Sequence, residues 1–154
     1  MGNNQSEIRP VKILLVEDNP ADVRLTLEAL KEERILNNLL VAEDGLEALD
    51  ILQQKGKYAD ESLPDIVLLD LNLPRKDGRD VLKQIKTDNR LKRIPVVVLT
   101  SSEAETDIVK AYDYYANCYI TKPVDWNQFK TIIKTIENFW FTIVKLPRGE
   151  GNVK

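Results

Sequence analysis

The chain contains no histidine, and that absence removes several kinds of chemistry at once. Ser-His-Asp and Cys-His catalysis are excluded, as are zinc sites built on imidazole and any role as a phosphohistidine donor. Cysteine is nearly absent too. Cys118 stands alone, so no intrachain disulfide can form, in keeping with a reducing cytoplasm. With no histidine to activate it, Cys118 reads as a small buried hydrophobe rather than a nucleophile. Neither sign of charge dominates: the net value of −3 gives no reason to expect a nucleic-acid surface. No apolar run approaches the length needed to cross a membrane, and no signal-peptide pattern is visible. At 154 residues the chain reads as one domain with room for a sizeable core.

What is present is a set of short apolar runs, each ending in a polar residue. The most informative is Ile66-Val67-Leu68-Leu69-Asp70. Such an unbroken run reads as a strand buried on both faces, which places Asp70 where a central strand leaves the core. A carboxylate there is costly unless something pairs with it. A second run, Val11 to Val16, ends in Glu17-Asp18. Asn19-Pro20 then opens a helix, with Asn19 able to cap it and Pro20 suited to its first position. Val23, Leu27 and Leu30 mark an apolar face, and the helix is expected to reach about Arg34.

Leu39 to Ala42 is a short strand. Glu43-Asp44-Gly45 leads into a helix carrying Leu46, Leu49, Ile51 and Leu52, followed by a long polar loop from Gly56 to Pro64. After Asp70 a loop ends at Lys76-Asp77-Gly78, and Arg79 to Thr87 is a helix. Val96 to Leu99 is a strand ending in Thr100-Ser101-Ser102. Residues 103–115 form a helix, Cys118 to Thr121 a fifth strand ending in Lys122-Pro123, and 126–144 a long final helix. Residues 1–9 and 146–154 read as tails around a domain spanning 10–145. Five alternations of strand and helix predict an α/β fold: a doubly wound five-stranded parallel sheet with helices on both faces.

In such a sheet, ligands bind at the carboxyl ends of the strands. Glu17, Asp18, Asp70, Thr100 and Lys122 all leave that edge. Three crowded carboxylates repel one another and do not all ionise unaided. A divalent cation resolves the conflict, and oxygen-only ligands favour Mg²⁺ over a soft metal. Asp18 and Asp70 are the expected direct ligands, with the Asn72 backbone carbonyl in reach. An aspartate beside such a metal can act as a nucleophile and carry a phosphoryl group. Lys122 supplies further positive charge, and Thr100 can hydrogen-bond a phosphoryl oxygen.

These residues, with Asp77-Gly78, Tyr119 and Pro123 in the same order and spacing, give the chain a close resemblance to the receiver domain of two-component response regulators, the CheY-like fold. The resemblance spans about residues 10 to 145. It implies strand order 2-1-3-4-5 and phosphoryl transfer from a sensor histidine kinase to Asp70. It also implies Asp18 as a metal ligand, Glu17 acting through a metal-bound water, Thr100 and Tyr119 as a switch pair, and Lys122 as the phosphoryl-binding cation. Pro123 would follow a cis bond, while Asn72 and Ser102 would tune dephosphorylation. The segments VEDNPADVRL and DLNLPRKDG, with the long loop before Pro64, resemble small regulators paired with bacterial and cyanobacterial phytochrome kinases.

No enzymatic or DNA-binding output is expected, so output is expected to be a contact. Of ten aromatic residues, all but Tyr58 fall between Tyr112 and Phe141. Phe139, Trp140 and Phe141 fan over about 200° of a helix, more than one core-facing stripe can hold. With Tyr112, Tyr115 and Trp126 they suggest a partner face and a homodimer. The rival reading is a pseudo-receiver that scaffolds without being phosphorylated. A flavodoxin-like carrier is disfavoured because Glu17-Asp18-Asn19-Pro20 has the wrong charge for a phosphate loop.

Overall fold

The sheet carries the fold, and its wholly buried strands lie inside it. In the computed structural model the residues described are 10–32, 34, 36–71, 73, 77–100, 118–122, 124–127 and 131. They form β1 (Val11–Val16), α1 (Pro20–Glu32), β2 (Asn37–Ala42), α2 (Gly45–Leu52), β3 (Ile66–Asp70), α3 (Gly78–Thr87), β4 (Val96–Thr100) and β5 (Cys118–Thr121). All strand pairs are parallel, in the order β2-β1-β3-β4-β5. This is the expected doubly wound topology. Every residue of β3 and β4 is buried, as their continuous apolar sequence requires. The helices expected over 103–115 and 126–144 lie outside the described residues, apart from 126, 127 and 131.

Strand alternation splits the core into two layers. Leu14, Val16, Val67, Leu69, Val96 and Val98 face α2 and α3, together with Val81, Leu82 and Ile85 of α3. Ile13, Leu15, Ile66, Leu68, Val97, Leu99 and Ile120 face the other way, toward Leu30 of α1 and the partly buried Val124 and Trp126. Tyr119 packs with the first layer.

The start of α1 is where the sequence placed it. Asn19 Oδ1 accepts the Ala21 N–H at 2.9 Å, capping α1, and Pro20 is its first residue. The helix stops at Glu32, two residues early, because Arg34 takes a left-handed φ of 58° that no helix can continue through. β2 starts at Asn37 rather than Leu39, since pairing with β1 begins opposite Val11. The 56–64 loop holds a single 3₁₀ turn, Gly56–Tyr58, and is pinned at two points. Tyr58 donates to Glu47 Oε2 at 2.6 Å, and Lys12 Nζ reaches Ser62 at 2.8 Å and the Glu61 carboxylate.

Two leucines depart from expectation. Leu27 is 46% exposed and Leu46 is 41% exposed. On α1 the buried side is Thr26, Ala29 and Leu30. Small side chains at Thr26 and Ala29 let the helix sit close to the sheet, and the Thr26 hydroxyl is satisfied by the Asp22 carbonyl at 2.9 Å. The contact stripe therefore runs through Thr26, and Leu27 is turned away by about 100°.

Replacing Leu68, which is fully enclosed, by alanine is expected to cost about 2–5 kcal/mol in urea unfolding. Leu27→Ala is expected to change stability by less than about 0.5 kcal/mol. Equal losses at the two positions would contradict the burial pattern described.

Candidate functional site

Alternation along the strands decides which side chains meet. Glu17 continues the β1 stripe of Ile13 and Leu15, Asp70 the β3 stripe of Ile66 and Leu68, and Lys122 follows Ile120 beyond β5. All three emerge at the carboxyl edge on the α1 side of the sheet. The backbone holds the spacing there. Glu17 N–H donates to Ala42 O at 2.9 Å, Leu71 N–H to Leu99 O at 3.2 Å, and Lys122 N–H to Thr100 O at 2.7 Å.

Lys122 Nζ is the hub. It lies 3.0 Å from Glu17 Oε1, 3.0 Å from Asp70 Oδ2 and 3.2 Å from Asp22 Oδ2. The Glu17 and Asp70 carboxylates are nearly enclosed, while that of Asp22 is 37% exposed. The second Glu17 oxygen accepts the Asn19 N–H at 3.2 Å. Burial, and then the neighbouring Asp70 charge, push the Glu17 pKa up from 4.5 to about 7, against the lowering effect of Lys122. Burial also works against the Lys122 ammonium, but its hydrogen bonds to Asp70 and Glu17 outweigh this and raise its pKa.

Glu17, Asp18 and Asp70 each offer a carboxylate oxygen, and these oxygens lie within 4.8 Å of one another. The donor set is all oxygen and one member is exposed to solvent. That chemistry fits a hard divalent cation such as Mg²⁺, which binds through few carboxylates and keeps its waters.

Thr100 is completely buried at the end of β4. It shares the strand face of Val96 and Val98, and Val98 pairs with Tyr119, so Thr100 and the half-buried Tyr119 lie on the opposite, α2–α3 side of the sheet. Asn72, Ser102, Tyr112, Tyr115, Pro123, Phe139, Trp140 and Phe141 lie outside the described residues. Trp126 is described and lines a cavity of about 560 Å³ between α1 and the chain after β5, along with Leu25, Glu17, Asp22 and Lys122.

Two residues of the site were assigned no role of their own from the sequence. Asp22 is one; its position in the first turn of α1, four residues after Asp18, was the available signal. Gly78 is the other. A Cβ there would sit 2.6 Å from Asp70 O and 2.7 Å from Leu71 Cα, so the start of α3 rests directly on the backbone that carries Asp70. Asp77 caps that helix through the Arg79 N–H at 2.7 Å.

A twisted parallel sheet of this order, with an acidic trio and a lysine at its carboxyl edge, defines a receiver domain. Residues 13–134 match the response regulator receiver domain, and the chain belongs to that family. Its relatives include the response regulator Rcp1 of Synechocystis, 49% identical over 138 residues that cover 90% of this chain and 94% of that protein. Among solved structures, the phosphorylated cyanobacterial phytochrome response regulator RcpA matches with 53% identity and a TM-score of 0.71, covering 86% of this chain and 95% of that one. The Mn²⁺-bound form of Rcp1 matches with 50% identity and a TM-score of 0.70, covering 85% and 94%. Receiver domains bind Mg²⁺ in this acidic pocket, are generally non-enzymatic, and take phosphoryl groups from sensor histidine kinases. Among the described residues, no helix is long and apolar enough to cross a membrane.

The raised Glu17 pKa has a stability consequence in the metal-free chain. The folded state keeps the proton up to about pH 7, the unfolded state only to 4.5. The resulting stabilisation is full below 4.5 and is lost as pH rises through 7. The loss is at most about 3 kcal/mol. Urea unfolding in EDTA is expected to show it, and Glu17→Gln to abolish it; parallel pH profiles for the two proteins would refute the assignment. Gly78→Ala is expected to cost about 1–3 kcal/mol through overpacking.

Proposed function

We propose that the chain is a phosphorelay response regulator that accepts a phosphoryl group on Asp70 from the phosphohistidine of a sensor kinase, with a phytochrome-type light sensor as the donor. The observation that carries the reading is the convergence of Lys122, Glu17 and Asp70 within 3.0 Å contacts at one strand edge, beside the exposed Asp18. The phytochrome pairing is supported by the kinship to Rcp1 and RcpA.

An Asp70 carboxylate oxygen attacks phosphorus, and the phosphorus–nitrogen bond to the donor histidine breaks. The electron pair leaves with the imidazole, which takes a proton. Asp18 and Asp70 would hold Mg²⁺, with the Asn72 backbone carbonyl as a further ligand and Glu17 acting through a metal-bound water, and the ion would supply charge neutralisation for the phosphoryl oxygens. Lys122 already touches Asp70 Oδ2, so its ammonium is placed to pair with the incoming phosphoryl group. The Asp70 backbone is fixed by the Leu71 bond to β4 and by the seat of Gly78, which keeps the nucleophile from drifting during transfer. Thr100 is the hydroxyl one strand away that responds to the new group, with Tyr119 beside it on the α2–α3 side. Asn72 and Ser102 tune hydrolysis, and the bond before Pro123 is cis. Output is a protein contact made in the cytoplasm. The aromatic segment from Tyr112 through Phe141, including Tyr115, Trp126, Phe139 and Trp140, forms the face for a homodimer and a downstream partner.

Incubation with acetyl phosphate and Mg²⁺ is expected to add one phosphoryl group in intact mass spectra, and Asp70→Asn to add none. An unchanged mass for the unaltered chain, under conditions that phosphorylate another receiver, would leave a phosphorylation-independent scaffold as the better reading. Transfer from a phosphorylated phytochrome kinase that is no faster than from an unrelated kinase would overturn the pairing alone.

A further inference from the structure

We propose that Asp22 is a positioning residue for Lys122: it retains the ammonium at the rim of the site when a cation claims the Glu17 and Asp70 carboxylates. The inference rests on the reading of Glu17, Asp18 and Asp70 as a cation site. Three carboxylates accept from Lys122 Nζ, and two of them, Glu17 and Asp70, belong to that trio. Asp22, at 3.2 Å, does not. It projects from the first turn of α1, which is anchored by the Asn19 cap and by the Thr26 hydroxyl on the Asp22 carbonyl.

The three acceptors differ in what they face. The Glu17 and Asp70 side chains are 3% and 7% exposed, whereas that of Asp22 is 37% exposed. Asp22 therefore keeps part of its hydration, which the two enclosed carboxylates lack. A divalent cation among the trio competes with Lys122 for the same oxygens and repels its charge. A partly buried ammonium without a partner is costly. Asp22 is the one of its three acceptors that a cation in the trio leaves untouched. The lysine can thus yield two carboxylates and still stay within a side chain's reach of Asp70. Without Asp22, Lys122 stays on Glu17 and Asp70 and opposes the cation.

The alternative role for Asp22 is an ordinary acid near a helix amino terminus, favourable to the dipole and indifferent to Lys122. A double-mutant cycle separates the two. Mg²⁺ binding is measured by calorimetry on the full chain, on Asp22→Asn, on Lys122→Gln and on the double variant, at one ionic strength. Asp22→Asn is expected to weaken Mg²⁺ about 5-fold when Lys122 is present and less than about 2-fold when it is not, a coupling ordinary for groups in contact. An equal factor in both backgrounds, or no effect in either, overturns the proposal. Failure of the unaltered chain to bind Mg²⁺ overturns the cation site itself, which is a different result. Should Lys122→Gln not fold, the ammonium resonance of Lys122 supplies the test. It is expected to stay protected from solvent in the Mg²⁺-loaded chain and to be lost in Mg²⁺-loaded Asp22→Asn; its persistence in that variant overturns the proposal.

Discussion

One ammonium holds this site together. Lys122 binds carboxylates contributed by the ends of β1 and β3 and by the first turn of α1, elements up to 105 residues away in sequence. Each of those acids is a poor neighbour for the others, and two are almost fully enclosed. The strand ends can crowd together only because a cation lies between them. Burial, and after it the neighbouring Asp70 charge, raises the Glu17 pKa to about 7. With Asp18, four carboxyl groups stand around one ammonium, a balance that favours a second cation.

Much of this was legible from the chain alone, for a physical reason. Strands buried on both faces admit nothing polar until they end. In β3 and β4, therefore, the first polar residue marks the sheet edge directly, Asp70 and Thr100, and in β1 the apolar run Ile13 to Val16 ends the same way at Glu17. The same fact marks β3 and β4 as central strands, while the full order came from the family resemblance. The cap at Asn19-Pro20 was equally readable, since it depends on neighbouring residues only.

What sequence did not yield depends on distances between elements. Asp22 lies on a helix surface, and its role arises from how closely α1 approaches the end of β5. Gly78 looked like a loop residue beside Asp77, yet it opens α3 and touches the main chain of Asp70 and Leu71. Leu27 and Leu46 fit a helical stripe and are exposed all the same, because in α1 two small residues set the contact line. Periodicity gives the face of a helix to within about one residue, and that margin separates core from surface here.

The parity of the strands leaves the molecule divided. Glu17, Asp70 and Lys122 stand above one layer of the core, whereas Thr100 and Tyr119 belong to the other. Between them runs a sheet whose central strands are apolar on both sides and hydrogen-bonded on both edges, a barrier with no polar passage through it. News of an event at Asp70 has to travel over the rim, from one strand tip to the next. The protein is wired like a circuit board, with components on both sides and its connections confined to a single edge.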